Sequence, residues 1–480
     1  MLSAPSGPLP RAYWQAGNSA QITATTTGGV LRTAASRVPD RTALVFGERR
    51  WSYADLLAEA EYAARALRAS FDPGDVVAVW AENCPEWVTL EFAAGLSGLT
   101  LVPLRPLAGA GEITYALTHS AAKGIFLGTD SGGSPRTAIL RRLAPRLPSL
   151  KSVISLGEWA ALSAIGSLDL PGGVTALPEV DPDSPAQILY TSGTTGRPKA
   201  ALLTHRALTN NARLAAVAFG GRDGDVVVNP LPLSHAAGCG LMTLGIAQAG
   251  GTHVLMPRFD PDAQLSLVEE HRGTLLCGFP MMLATMVGHV SFGIRDLSSV
   301  RAVVSGGTQV PPDLALDIEA ALGAPVLTAL GQTECGCVIA ATTPGDALAD
   351  RLGGVGRPLP GTEVKVVDPG TGAIAGCGET GEICVRGYQV MRGYLNDPAA
   401  TAAAIDSDGW LRTGDLGTMD DRGYLRVAGR LRELKICEDA LGGVLANTPA
   451  LAWAGPAADP FGLRVPRQER WAKALEDIDF

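Results

Sequence analysis

Short apolar runs recur along this chain, each followed by a stretch with helical spacing, and that alternation limits the folds open to it. Asp75-Val76-Val77-Ala78-Val79-Trp80 reads as a buried strand. Similar runs stand at Leu99–Val102, Ala186–Leu189, Val226–Val228, His253–Met256, Val300–Val304 and Val326–Leu330. Tyr53, Leu56, Leu57, Ala60, Ala64 and Leu67 recur at i, i+3, i+4 and i+7, with Ser52 placed as a cap three residues before Asp55. Strands alternating with helices predict an α/β protein with two mainly parallel sheets. In such a fold, binding chemistry belongs to the loops beyond the strand C-termini. After Gly353 the texture changes: Glu363–Asp368 and Glu382–Arg386 read as strands between Gly, Pro and Thr turns, with no long helix between them. A small antiparallel β subdomain over residues 351–430 is the expectation there.

The length of 480 residues predicts two or three domains with an ample core. A net charge of −9, with no lysine- or arginine-rich run, argues against nucleic acid as the main partner. With 46% hydrophobic and 18% charged residues the composition is that of a globular enzyme. The longest apolar candidate, Cys239 to Gly250, is too short to span a bilayer. The first residues lack a basic region followed by an apolar one, so no export signal is visible. Cysteines at 84, 239, 277, 335, 337, 377, 384 and 437 form no paired Cys-x-x-Cys sites, which disfavours zinc and disulfide frameworks. The expectation is a reduced, cytoplasmic protein with no membrane span.

Beyond the run at 186–189 the chain reads Tyr190-Thr191-Ser192-Gly193-Thr194-Thr195-Gly196-Arg197-Pro198-Lys199-Ala200, and a helix-like stretch follows from Ala207. Glycines let backbone N–H groups turn toward an anion, hydroxyls donate further bonds, and a lysine adds a full charge. This chemistry suits an oligophosphate. It is not the common P-loop, because Lys199 is followed by Ala200 and the glycine spacing differs. Taken alone, the string reads sooner as a Gly/Ser/Thr surface loop, as most such stretches are.

Other strings follow in order. They are Pro230-Leu231-Pro232-Leu233-Ser234-His235, Ser305-Gly306-Gly307, Leu330-Gly331-Gln332-Thr333-Glu334, Arg412-Thr413-Gly414-Asp415-Leu416 and Gly423-Tyr424-Leu425 through Gly429-Arg430. Together, over residues 28 to 436, they resemble the acyl-adenylate-forming enzymes: acyl- and aryl-CoA synthetases, luciferase and peptide-synthetase adenylation domains. The resemblance implies ATP, Mg²⁺ and, as acceptor, coenzyme A. By that likeness Thr191, Ser192, Gly193, Thr194, Thr195, Gly196 and Lys199 would hold the β- and γ-phosphates. Gly306, Gly307, Leu330, Gly331 and Gln332 would contact adenine and phosphate, and Thr333 the α-phosphate. Glu334 and the Thr191 hydroxyl would ligate Mg²⁺. Asp415 would accept the ribose hydroxyls, and Arg430 would donate to ribose or phosphate. Lys199, Thr333, Glu334 and Arg430 are the implied catalytic set. Read without the likeness, Asp415 is a turn-capping aspartate after Thr413-Gly414.

His235, Ala236, Gly238, Phe279, Ser305 and Gly331 are the candidate acyl-pocket residues. His235 reads as a wall or gate, not as a general base, because a carboxylate nucleophile is already ionised at neutral pH. The small residues from Ala236 to Gly240 either leave room for a bulky or aromatic acyl group or allow close helix packing.

Three features depart from the family pattern. Leu330 stands where an aromatic usually stacks on adenine, and Ala200 where a glycine usually follows the lysine. The third concerns the chain beyond Arg430. The resemblance implies a hinge, here Arg432, and a small mobile C-terminal domain carrying a further lysine. Only 50 residues follow Arg430, and after Ile436-Cys437 they leave the family pattern. Lys435 and Lys473 are the lysines that remain there, and Lys473 lies in a short amphipathic stretch. The reading is an AMP-binding domain over 1–430 and an atypical tail over 431–480, with the usual catalytic lysine missing and activity impaired or modified. Two other functions fit the same residues: an adenylating ligase that passes the acyl group to an amine or carrier protein, and a non-catalytic nucleotide- and acyl-binding protein.

Overall fold

The computed structural model describes residues 7–17, 22–128, 136–162, 176–191 and 198–431. These form an α/β fold built on three sheets. A six-stranded sheet runs in the order Ser152–Ser155, Gly124–Leu127, Val76–Trp80, Thr100–Leu104, Pro185–Thr191, Lys199–Thr204. Its pairs are parallel except the last, an antiparallel hairpin-like pair. A nine-stranded sheet has a parallel centre, from Val326–Leu330 through Ala302–Gly306, Leu275–Cys277, Val226–Asn229 and Thr252–Leu255 to Thr42–Phe46. Antiparallel strands close both its edges. The strand runs expected before Gly353 all fall in these two sheets.

Thr362–Val367, Gly381–Gly387, Leu411–Met419 and Leu425–Arg430 build an antiparallel sheet, as the turn-rich texture after Gly353 suggested. A short strand, Tyr13–Trp14, completes it from the far N-terminal side. Nothing in that dipeptide signals a strand. It pairs because the edge of Thr362–Val367 would otherwise leave its N–H and C=O groups unmatched.

Helix starts follow local chemistry. Tyr53–Arg68 opens on a capping box: Asp55 N donates to Ser52 Oγ at 3.0 Å and Ser52 N to Asp55 Oδ2 at 3.1 Å. His205–Ala218 begins at the Thr204 cap, two residues earlier than the sequence suggested. Pro85–Ser97 is apolar nearly all round and correspondingly buried nearly throughout. It crosses Thr27–Arg37 at a pair of glycines. A Cβ on Gly28 would sit 2.7 Å from Leu96 Cγ, and one on Gly95 would sit 2.7 Å from Gly28 N. Only hydrogen at both positions lets the backbones approach this closely. One apolar core then links the sheets through these helices, from Val79 and Leu101 through Leu44 and Leu255 to Val364 and Leu411. Among the described residues no helix is long and apolar enough to cross a membrane.

Two histidines are buried as neutral bases. His253 Nε2 lies 3.0 Å from Asn229 Nδ2, and Asn229 Oδ1 already accepts from Leu231 N, so the histidine nitrogen is the acceptor. Burial lowers the His253 pKa to about 3 and the His205 pKa to about 4. A histidine whose folded pKa is depressed takes up protons on unfolding, so its stabilising effect is complete above the unfolded value near 6.5 and lost as pH falls toward the folded value. Between pH 7.5 and 5 each group should cost on the order of 2 kcal/mol of stability. Urea unfolding at the two pH values checks this, and His253→Gln should flatten the acid slope.

Candidate active site

The parallel strands Ala302–Gly306 and Val326–Leu330 lie side by side, with Ser305 opposite Thr328 and Gly306 opposite Ala329. Their register brings the two following loops together at one edge of the sheet. Leu330 remains in the core at 8% exposure, and Gly331 to Glu334 are half-buried. Gln332 is extended, and Thr333–Cys335 form a single tight turn closed by Gly336 at φ +70°. A Cβ on Gly331 would run into the Cys337 carbonyl, so only glycine fits there. In the neighbouring loop Ser305 Oγ donates to Gly278 O at 2.9 Å, and Gly307, at φ +83°, faces the Phe279 ring.

His235 stands across from this loop, its ring edge-on to Phe279 with centroids 5.8 Å apart. Its Nδ1 accepts from Ala237 N at 3.1 Å, which leaves the proton of the neutral ring on Nε2. The ring is open to solvent, yet burial lowers its pKa. Both hold for a side chain on the wall of a concave cleft. Ala236 is buried, and a Cβ on Gly238 would strike the Pro232 carbonyl. Gly238 thus serves close backbone packing, one of the two readings the sequence left open for these small residues. Ala237–Thr243 form a π-helical turn that leads into Leu244–Gln248.

Thr191 ends one strand and Lys199 begins the next, paired directly across the hairpin. Thr191 Oγ1 is 3.4 Å from Lys199 O. Ala200 pairs with Tyr190 and has no positive φ, so the missing glycine costs nothing in backbone strain. The Lys199 ammonium sits 4.8 Å from the centroid of the Tyr394 ring. Tyr394 Oη donates to Glu334 Oε1 at 2.8 Å, and Met391 N donates to Glu334 O at 2.8 Å. Burial, and then the Glu334 carboxylate, raise the tyrosine pKa and keep it a donor. The segment around Tyr394 is itself tied to the hairpin through Arg392 N to Leu202 O, Leu202 N to Gly393 O and Leu395 N to Ala200 O. A lysine and a glutamate 135 positions apart in sequence are thereby joined through one phenol.

In the antiparallel sheet Asp415 lies opposite Arg430. Their side chains pair directly, Arg430 Nε to Asp415 Oδ1 at 2.7 Å, with the carboxylate buried and the guanidinium 54% exposed. Gly414 takes φ +73°, and Thr413 Oγ1 accepts from Asp415 N at 3.0 Å, so the turn-capping feature is real but is made by the threonine. Glu382 holds the other side, accepting from Gly414 N at 3.2 Å and pairing with Arg412 at 2.8 Å.

Ser192, Gly193, Thr194, Thr195 and Gly196 lie outside the described residues, as do Arg432 and the tail with Lys435 and Lys473. Sequence reasoning missed Tyr394, Met391, Glu382 and Asn211. Asp397-Pro398 could have marked the helix Pro398–Ala404 beside Tyr394, since an aspartate cap and a proline at the first position are start signals. Nothing local tells that the preceding tyrosine reaches a loop sixty positions away.

The sequence profile of the AMP-binding enzymes matches residues 31–395. The chain is 36% identical over 416 residues to 3-[(3aS,4S,7aS)-7a-methyl-1,5-dioxo-octahydro-1H-inden-4-yl]propanoyl:CoA ligase of Mycobacterium tuberculosis, covering 84% of this chain and 78% of that protein. It is 30% identical over 466 residues to the mitochondrial medium-chain acyl-CoA ligase ACSF2 of Rattus norvegicus, covering 90% and 76% respectively. The ATP-bound crystal structure of MatB from Rhodopseudomonas palustris superposes with a TM-score of 0.75 at 28% identity, over 85% of this chain and 79% of that one. With the profile spanning most of its length and both relatives at 30% identity or more, this chain belongs to the AMP-binding enzymes and is an adenylate-forming ligase.

Proposed function

We propose that the protein activates a carboxylic acid with ATP and transfers the acyl group to coenzyme A. The observation that carries this reading is the Lys199–Tyr394–Glu334 arrangement, which sets a cation and a carboxylate on one cleft beside the loops after Gly306 and Leu330. Coenzyme A as acceptor is supported by the relatives, which are CoA ligases by name. In the first step a carboxylate oxygen attacks the α-phosphorus, the bond to the β-phosphate breaks, and pyrophosphate leaves with the electron pair. In the second, the thiolate of coenzyme A attacks the acyl carbon and AMP departs.

Both reacting partners are anions, so the site must neutralise charge and fix an in-line approach. Lys199 supplies the cation toward the β- and γ-phosphates, with its ammonium steadied on the Tyr394 ring. Thr333 donates to the α-phosphate from a turn whose backbone is pinned at Glu334. Asp415 accepts from the ribose hydroxyls, and its ion pair with Arg430 holds that cation at the nucleotide side of the cleft. His235, neutral with its proton on Nε2, borders the acyl group. No base is needed at the carboxylate.

A magnesium ion fits the residues present. Glu334 offers a carboxylate with only one oxygen engaged by Tyr394, and Thr191 offers a hydroxyl whose hydrogen bond is long. One carboxylate, one hydroxyl and phosphate oxygens make a normal site for a hard cation. When bound, the ion neutralises phosphate charge.

The acid carries an apolar tail on this reading. A cavity of about 40 Å³ is lined by Leu241, Met242, Ile246, Cys277 and Val304, on elements that follow His235 or precede Phe279 and Ser305 in the chain. Its methionine can repack around chains of different length. The cysteines among the described residues are free thiols, which suits a reducing, cytoplasmic setting.

Pyrophosphate release with ATP, Mg²⁺ and a panel of fatty and aromatic acids tests the reaction. Lys199→Ala and Glu334→Ala should each lower the rate about 10²–10³-fold, the loss expected for one preorganised charge at the transferring phosphoryl. Bound ATP with no release above those controls would reduce the protein to a binding role. Met242→Ala should move the best acid to a longer chain, and an unchanged ranking would remove the cavity from the acyl site.

A further inference from the structure

The loop from Gly331 to Val338 carries Gln332, Thr333 and Glu334, and its shape depends on where it is fastened. At its base Ile339 N donates to Leu330 O at 2.8 Å. Its crown is held by Met391 and Tyr394 at Glu334. The third fastening is Asn211, buried on the helix His205–Ala218. Its Nδ2 donates to Val338 O at 2.6 Å, and its Oδ1 accepts from Val338 N at 3.0 Å. One amide thus mimics a neighbouring strand, occupying both backbone groups of a residue that leaves the loop.

Just before this clamp Cys337 holds φ +143°, a region that favours glycine. The Cys337 carbonyl is the atom that a side chain on Gly331 would strike, so the two ends of the loop are in direct contact there. The acyl side leans on the same turn: a Cβ on Gly240 would lie 3.5 Å from Gly336 O. A strained residue persists only where its surroundings over-determine it. The two bonds from Asn211 to the next residue supply that constraint.

We infer that Asn211 is a positioning residue for the adenylation site: its clamp on Val338 holds Cys337 in a strained conformation and thereby sets the placement of Gly331 through Glu334. Without the clamp, residue 337 relaxes to negative φ, its carbonyl leaves Gly331, and the loop loses the geometry that aims Thr333. This rests on the reading of that loop as the α-phosphate site. Relief of the strain should therefore substitute for the clamp.

The test compares the purified full chain with Asn211→Ala, Cys337→Gly and the double variant, using pyrophosphate release with ATP, Mg²⁺ and the preferred acid. Asn211→Ala should lower kcat/KM for ATP at least tenfold, Cys337→Gly alone should stay within twofold of the parent, and the double variant should return to within threefold. A single variant within twofold of the parent, or a double variant no better than Asn211→Ala, overturns the inference. Should Asn211→Ala not fold, Asn211→Ser is read in the same way. If the parent chain releases no pyrophosphate, the proposed reaction fails and urea unfolding decides about the clamp. The asparagine substitution should then raise the unfolding constant at least threefold less in the parent, where relaxation of residue 337 returns its strain, than in the Cys337→Gly background. Equal effects in both would refute it.

Discussion

The site depends on Tyr394 more than on any other single side chain. Its backbone segment is stitched to the strand Lys199–Thr204, its ring lies beneath the Lys199 ammonium, and its hydroxyl reaches Glu334 on the far loop. Two sheets are involved, the six-stranded one with the strand that Lys199 begins and the nine-stranded one with the strand that Leu330 ends. Their relative placement determines whether a cation and a carboxylate face the same cleft. The phenol is a spacer suited to this task, rigid in its ring and polar at its tip. Burial raises its pKa, so it remains a donor across the physiological range.

Around that spacer buried amides fasten neighbouring segments to one another. Gln187 donates to Glu91 at 2.8 Å, and desolvation raises the Glu91 carboxyl well above its ordinary range. Cys239 donates to Gln187 at 3.2 Å, which fastens the turn after His235 to the six-stranded sheet. Asn211 does the equivalent for the loop after Leu330. These amides are the buried hardware beneath residues that face solvent and ligand. A buried amide with both ends satisfied specifies one arrangement, because any shift leaves polar atoms without partners.

Much of the architecture was legible without coordinates. The apolar runs became strands because each is short and bounded, and the Ser52 cap and the Gly/Thr turns after Gly353 declared their own conformations. The pairing of Asp415 with Arg430 was not legible as a contact, although both were singled out. Each has its own local motif, and only the antiparallel register of two strands sets them opposite one another. His235 was read as a wall residue from its motif, and its edge-on contact with Phe279 was not legible there. The small residues behind it were ambiguous because glycine and alanine serve cavities and close packing equally well. The clash that a Cβ on Gly238 would meet shows the packing role.

By itself the sequence determined the alternation of strand and helix, the glycine, hydroxyl and lysine composition of the segment from Tyr190 to Ala200, and the order of the motifs that follow. These are set by periodicity and by residue type over a few neighbours, so they are written locally. Tertiary structure alone decided that Tyr394 joins Lys199 to Glu334, that Asn211 clamps Val338, and that Tyr13–Trp14 closes the antiparallel sheet. Those contacts link residues far apart in the chain, and many tyrosines, asparagines and short apolar pairs would look the same in sequence. What singles these out is that the packed core places an unsatisfied backbone group or a charged tip within reach of each.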